Sequence, residues 1–260
     1  MASKNIKYFA DKLYSAHRSK IGIPPLTEED DTLTIDDAYA IQLANVERVV
    51  NEGELISGKK IGLTSKGIQE QMGVGEPDYG HLFKSMDCSP EGKVPFDGFL
   101  LPKIEGELAF ILKADLAGGK VTAGDVLAAT DYIVAGFEIV DSRVENWNIK
   151  LIDTVADNAS SGCYVLGKQR LSPEEIDLLN VGMKLYKNGR LISEGDSKAV
   201  LGNPAQAVAW LANRLWGYGV TLKKGEVILS GAFAAAPQAQ KGDIFKAEFT
   251  GFGNVTAEFV

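Results

Sequence analysis

Pro102-Lys103-Ile104-Glu105-Gly106-Glu107-Leu108-Ala109-Phe110-Ile111-Leu112 reads as a strand bound for a core, interrupted by two acids. Side chains alternate along a strand, so Glu105 and Glu107 point to one face with Ala109 and Ile111, while Ile104, Leu108 and Phe110 fill the other. Adjacent carboxylates on an apolar strand repel each other, and burying an unpaired charge costs several kcal/mol or more. The pair therefore requires a positive partner. A third acid, Glu138, sits in Ala135-Gly136-Phe137-Glu138-Ile139-Val140-Asp141 with similar apolar flanks. Convergence of the three would make a hard-oxygen site suited to Mg²⁺ or Mn²⁺ rather than a soft metal. The residues alone also allow a solvated strand face, or salt bridges to Lys and Arg elsewhere.

Around this stretch lies an ordinary globular composition: 260 residues, 45% hydrophobic and 24% charged, enough for a sizeable core in one or two domains. A net charge of -8 without a basic cluster argues against nucleic acid and anionic membranes as partners. Met1-Ala2-Ser3-Lys4-Asn5 leads directly into a polar amphipathic pattern, and no apolar run approaches the ~20 residues of a membrane span. Cys88 and Cys163 are too few for a disulfide framework and lack zinc spacing. A cytoplasmic location is the expectation.

Toward the N-terminus, Ile6, Phe9, Leu13 and Ala16 recur at helical spacing, predicting a helix over Ile6 to Ser19. Thr34 with Asp37 forms a near relative of the capping box, opening a second helix that ends near Gly53. Residues 1–75 are expected to form a helical cap region, and residues 76–260 a β-rich domain, together one cooperative unit. Ile56 to Ser65 predicts a strand running into a Gly/Thr/Ser loop, with one of Lys59 and Lys60 facing inward and the other solvated. Gly75 to His81 reads as a turn-rich segment that leaves Asp78 available; His81 is assigned no catalytic role.

Farther on, the polar run Asp153 to Gly162 precedes a strand at Cys163 to Gly167 and reads as a ligand-facing loop or a capped turn. Ser172-Pro173-Glu174-Glu175 has the form of a helix start. Asn188-Gly189 centres a hairpin, and Asn203-Pro204 opens a helix that stops at Gly217 or Gly219, with Trp210 and Trp216 as packing residues. Asp243 to Val260 alternates as two strands. The absence of a P-loop, G-x-G-x-x-G or G-x-S-x-G disfavours nucleotide cofactors and a serine-hydrolase elbow.

Lys60-Ile61-Gly62-Leu63-Thr64-Ser65, Pro77-Asp78-Tyr79-Gly80, Pro102 to Phe110, Leu127 to Tyr132, Glu138-Ile139-Val140-Asp141-Ser142-Arg143 and Ala156-Asp157-Asn158-Ala159-Ser160-Ser161 occur in this order. Together they resemble the hydratase/decarboxylase family of meta-cleavage pathways for aromatic compounds, within the fumarylacetoacetate hydrolase-like superfamily. The resemblance runs over nearly the whole chain, and the Glu138 to Arg143 and Asp153 to Gly162 blocks are most similar to the 2-hydroxypenta-2,4-dienoate hydratases. It implies an α+β fold: a β-rich mixed-sheet domain with an N-terminal helical cap. It also implies Mg²⁺ or Mn²⁺ on Glu105, Glu107 and Glu138, with Lys60, Asp78 and Ser160 around the substrate. The implied reaction is hydration of a 2-hydroxydienoate. Decarboxylation of 2-oxo-3-hexenedioate and a non-catalytic partner subunit are the alternatives. A homo-oligomer, and a complex with a pathway decarboxylase, are expected from the resemblance only.

Overall fold

The computed structural model describes residues 6–260; the Met1 to Asn5 lead-in lies outside the described residues. Three helices come first: α1 (Ile6–Ser19), the single turn α2 (Leu26–Glu29) and α3 (Ile35–Asn51). α1 buries Phe9, Leu13 and Ala16, the stripe its spacing predicts, together with Ala10. At the start of α3 the Thr34 hydroxyl accepts from the Asp37 N–H, and the Asp37 carboxylate accepts from the Thr34 N–H at 2.7 Å. Two backbone donors at that helix end are thereby satisfied. Tyr39 of α3 stacks on Tyr79 with ring centroids 4.6 Å apart. Gln42 donates to the carbonyls of Tyr79 and Val155. The helical layer draws its stability from this packing more than from its own propensity.

Two mixed sheets make up the β-rich part. In the six-stranded sheet the order is β2 (Asp78–Phe83), β1 (Ile56–Gly62), β9 (Val227–Leu229), β4 (Lys103–Leu112), β5 (Thr130–Val140) and β6 (Ser161–Leu166). Only β1 and β9 run parallel; the other neighbours are antiparallel. β1 precedes residue 75 in sequence yet is an inner strand of this sheet. In the five-stranded sheet the order is β3 (Lys93–Val94), β11 (Gly253–Phe259), β10 (Ile244–Phe249), β7 (Gly182–Lys187) and β8 (Arg190–Asp196). Ile104, Leu108 and Phe110 share one core cluster with Met183, Leu185, Phe245 and Phe249. At Gly106 the two sheets come so close that a Cβ would stand 2.3 Å from Met183 Sδ. The second sheet therefore covers the apolar face of β4 and leaves the glutamate face to other partners.

Between strands lie α4 (Lys66–Met72), α5 (Ala123–Ala129), α6 (Leu151–Ala156) and α7 (Pro204–Trp216). The expected α+β architecture is the observed one, with several local corrections. Asp78 begins a strand and is buried, instead of lying in a loop, because β1 pairs with it at Gly62. The start of the polar run, Asp153 to Ala156, belongs to helix α6, since Asp153 caps the Lys150 N–H and turns inward to Thr27. Ser172 to Glu175 forms its capping box but only one 3₁₀ turn, because the chain is already extended at Ile176. Trp210 packs on the core, whereas Trp216, at the last turn of α7, stays 48% exposed. The Asn188-Gly189 hairpin is present, with both turn residues at positive φ as a two-residue primed turn requires.

Candidate active site

Strand register alone gathers the acids. Glu105 lies directly opposite Glu138 on β5, and Glu107 lies opposite Gly136. Carboxylate oxygens of Glu105, Glu107 and Glu138 fall within 4.8 Å of one another. Ala109, two residues beyond Glu107, pairs with Leu229, which pairs in turn with Lys60. Lys60 therefore faces the same side of the sheet as the acids. One step farther, Gly62 lies opposite Asp78 and brings a fourth carboxylate to that face. Five chemical groups from four strands thus meet by pairing rules.

Glu107 and Glu138 are fully buried, Lys60 and Asp78 almost so, and Glu105 is partly open. Lys60 Nζ stands 3.3 Å from Glu138 Oε1 and donates to the Ala159 carbonyl at 2.9 Å. The Gly231 N–H donates to Glu107 Oε2 at 2.8 Å. Among the described residues, Glu107 Oε1, both Glu138 oxygens and Asp78 Oδ1 have no hydrogen-bond partner. Burial, and then mutual repulsion, raises Glu107 well above the ordinary carboxylate range. Burial pushes Glu138 up to about 8 against the pull of Lys60, and it also raises Glu105 and Asp78. For Lys60, burial favours the neutral amine, but Glu138, Asp78, Glu105 and Glu107 outweigh it and raise its affinity for the proton. One ammonium cannot neutralise four acids. Unpartnered, convergent carboxylate oxygens of this kind fit a hard divalent cation.

A pH dependence follows. Without metal, the folded chain holds protons on these glutamates that the unfolded chain releases above its ordinary carboxylate value. Metal-free stability should therefore fall as pH rises from about 4.5 toward about 8, by roughly 1.4 kcal/mol per pH unit for each extra proton held. Added divalent metal should reverse the loss, with a larger shift in melting temperature at pH 8 than at pH 6. Thermal melts with and without chelator at both pH values measure this.

Gly62 makes the Asp78 position possible. A Cβ at residue 62 would lie 2.2 Å from Asp78 Oδ1 and 3.4 Å from Lys60 Nζ. Gly62→Ala should therefore displace the Asp78 carboxyl, reducing turnover about 10²-fold while metal binding persists. Steady-state rates beside a metal titration test it.

Ser160 sits close by in a short segment, Asn158–Ser160, between α6 and β6. Its hydroxyl is 3.1 Å from that of Thr154, and the next residue back, Ala159, supplies the carbonyl that holds Lys60. One of Lys59 and Lys60 is expected in solvent, but both are buried: Lys59 bonds Glu226 at 2.7 Å, because β9 lies beside β1 and the last turn before β9 carries that acid. His81 is a packing residue: its Nδ1 is 3.1 Å from Gln42 Oε1, and burial lowers it to about 3. A separate cavity of about 650 Å³ lies behind the Ser160 segment, lined by Arg143, Asp157, Asn158 and Ser161 among others, and by none of the three glutamates. Sequence reasoning missed the Ala159 carbonyl, the Gly231 N–H and the Arg143–Asp157 pair. Backbone groups carry no residue-type signal. The pair had only the juxtaposition of an Arg and an Asp within quoted motifs.

A family model, the fumarylacetoacetate (FAA) hydrolase C-terminal family, matches residues 90–260. The chain belongs to this family. The matched region contains all three glutamates, while Lys60 and Asp78 precede it. Curated members are similar over almost the full length. A 2-hydroxyhexa-2,4-dienoate hydratase of Comamonas testosteroni is 46% identical over 95% of either chain. A 2-keto-4-pentenoate hydratase of Paraburkholderia xenovorans is 45% identical over 96% of this chain and 93% of its own. Among solved structures of the family fold, 4-oxalocrotonate decarboxylase from Pseudomonas putida G7, complexed with magnesium and adipate, superposes with TM-score 0.94 at 36% identity. That match covers 98% of this chain and 97% of the other. No helix among the described residues is long and apolar enough to cross a membrane.

Proposed function

We propose that this FAA hydrolase family member is a metal-dependent hydro-lyase. It adds water to 2-hydroxypenta-2,4-dienoate (2-oxopent-4-enoate), giving 4-hydroxy-2-oxopentanoate in the meta-cleavage catabolism of aromatic compounds. The observation that carries the substrate class is 45% identity, over nearly the whole chain, to a relative named for that hydration. The buried acids and Lys60 supply matching chemistry.

Glu105, Glu107 and Glu138 are the proposed holders of Mg²⁺ or Mn²⁺. When bound, the ion supplies a Lewis acid for the substrate's C1 carboxylate and C2 oxygen. The remaining work falls to the chain. Lys60, fixed between Glu138 and the Ala159 carbonyl, presents a positive charge to the C1/C2 end and holds a proton there. Asp78, whose affinity for a proton is raised by burial, is the general acid/base. Ketonisation with a proton delivered to C5 gives 2-oxopent-3-enoate; water then adds at C4 and a proton at C3. Ser160 positions substrate or the attacking water. Asp78→Asn should leave metal binding intact and cut turnover about 10²-fold. Unchanged turnover would remove Asp78 from the mechanism.

The likeness to 4-oxalocrotonate decarboxylase favours one second reading, decarboxylation of 2-oxo-3-hexenedioate, at the lower identity of 36%. One assay separates the two. Freshly generated 2-hydroxypenta-2,4-dienoate is followed in the ultraviolet with Mg²⁺, Mn²⁺ or chelator. Metal-dependent loss of the dienol with 4-hydroxy-2-oxopentanoate as product supports the hydratase. Silence there with CO₂ release from 2-oxo-3-hexenedioate makes it the decarboxylase. The proposal includes a cytoplasmic homo-oligomer that can associate with a pathway decarboxylase.

A further inference from the structure

The segment behind Lys60 is held in an unfavourable backbone conformation. Asn158, Ala159 and Ser160 all have positive φ, at 56°, 51° and 53°. None is glycine, and left-handed residues carrying a Cβ are disfavoured even singly. Three in succession require the surroundings to impose them. Much of that constraint comes from one side chain. Arg143 donates from Nε to Asp157 Oδ1, from Nη2 to the Asp157 carbonyl, and from Nη1 to the Ser161 carbonyl at 2.9 Å. Its own backbone N–H donates to Asp157 Oδ2 at 2.9 Å. Residues 157 and 161 bracket the three left-handed residues, so one planar guanidinium grips both ends of the turn. Arg143 is 5% exposed and Asp157 4% exposed, so the grip is built into the interior.

What the turn presents is the Ala159 carbonyl, the acceptor 2.9 Å from Lys60 Nζ. It also carries Ser160, whose carbonyl accepts from the Asp141 N–H at 2.8 Å. We propose that Arg143 is a positioning residue: by clamping Asp157 and Ser161 it holds the left-handed turn that places the Ala159 carbonyl on Lys60 and Ser160 beside it. The inference rests on the hydratase reading for its kinetic consequence, but its structural consequence is independent of that reading. Arg143 lies on neither β4 nor β5, so the glutamate cluster is set by strand register rather than by the clamp.

The cavity of about 650 Å³ gives the test its particular form, because Arg143 and Asp157 both line it. Arg143→Ala opens a guanidinium-sized space beside Asp157 that joins this cavity, so free guanidinium can reach the vacated position. Arg143→Lys keeps a cation near Asp157, but a single ammonium lacks the planar fork that bonds a carboxylate and two carbonyls at once. The full-length, Mn²⁺-loaded protein is compared as wild type, Arg143→Lys and Arg143→Ala, the last with and without millimolar guanidinium. Three readouts are taken: Mn²⁺ affinity, amide hydrogen exchange over residues 157–162, and kcat and KM on 2-hydroxypenta-2,4-dienoate.

The expected result for Arg143→Lys is an unchanged Mn²⁺ affinity, faster exchange confined to the turn, and kcat reduced about 10²-fold with little change in KM. Guanidinium should restore part of kcat in Arg143→Ala and leave the wild type unaffected. Retained kcat and unchanged exchange in Arg143→Lys would overturn the proposal, and so would parallel loss of Mn²⁺ affinity, which would place the effect in the sheet. If Arg143→Ala does not fold, Arg143→Lys decides alone. If wild type fails to hydrate the dienoate, the substrate reading falls, and the exchange and Mn²⁺ measurements still judge the clamp.

Discussion

Glu107→Gln should abolish tight binding of the divalent ion and lower turnover by about three orders of magnitude, the scale expected when a transition-state charge stabiliser is lost. The same substitution should make the metal-free protein more stable. Glu107 is fully buried, and one of its oxygens has no partner. Repulsion from Glu138 and Glu105 adds to its burial penalty. A neutral amide keeps an acceptor for the Gly231 N–H and removes the cost of either charging or protonating this buried group in the folded chain. The two effects therefore have opposite signs: a higher melting temperature without metal, and little or no further rise when Mg²⁺ or Mn²⁺ is added. Melts in chelator and in metal, with a turnover assay on the same preparation, measure both. A variant that keeps its metal-induced shift would show that Glu107 is not a ligand.

Lys60→Met should have the second-largest effect, and here both readouts fall. Lys60 supplies the ammonium that contacts Glu138, and it lies beside Asp78 across the β1–β2 pair. Removing one partner of a buried ion pair typically costs about 3–5 kcal/mol, because the remaining charge is left uncompensated. The metal-free melting temperature should drop accordingly, and bound metal should recover part of it by supplying positive charge. Turnover should fall about 10²–10⁴-fold, the range associated with a lost acid/base group, and metal should not recover that loss. Recovery of both by metal would reduce Lys60 to a charge balancer.

Much of the site was legible because the information lay in alternation. Glu105 and Glu107 stand two apart on an apolar strand, which places them on one face whatever the remaining topology. That Glu138 joins them needed the β4–β5 register, and there the family resemblance did what periodicity could not. Lys60 shows the limit clearly. Strand alternation places it and Lys59 on opposite faces and expects one of the two in solvent, yet both are buried, because β9 and Glu226, which cover Lys59, are far away in sequence. Asp78 shows the same limit in its local structure: a Pro and two Gly nearby give a turn signal, and tertiary pairing with β1 overrides it. The Arg143 grip on the 157–161 turn could not be read, since three of its four contacts engage main-chain groups or are made from one. The α+β architecture followed from amphipathic helices at one end and alternating strands through the rest. The order of strands within each sheet did not.

The direct opposition of Glu105 and Glu138 in the β4–β5 pairing has a consequence for tolerated changes in chain length. Side-chain facing along these strands has a period of two, so a single residue deleted between Ile104 and Leu108 would turn part of the acid set to the opposite face. The connection from Lys113 to Thr122, which joins the same two strands through α5, carries none of the site's groups. Insertions there would lengthen a surface path while leaving the two acids in register. The chemistry is thus indifferent to the span of that connection and intolerant of an odd step in the antiparallel strands it joins.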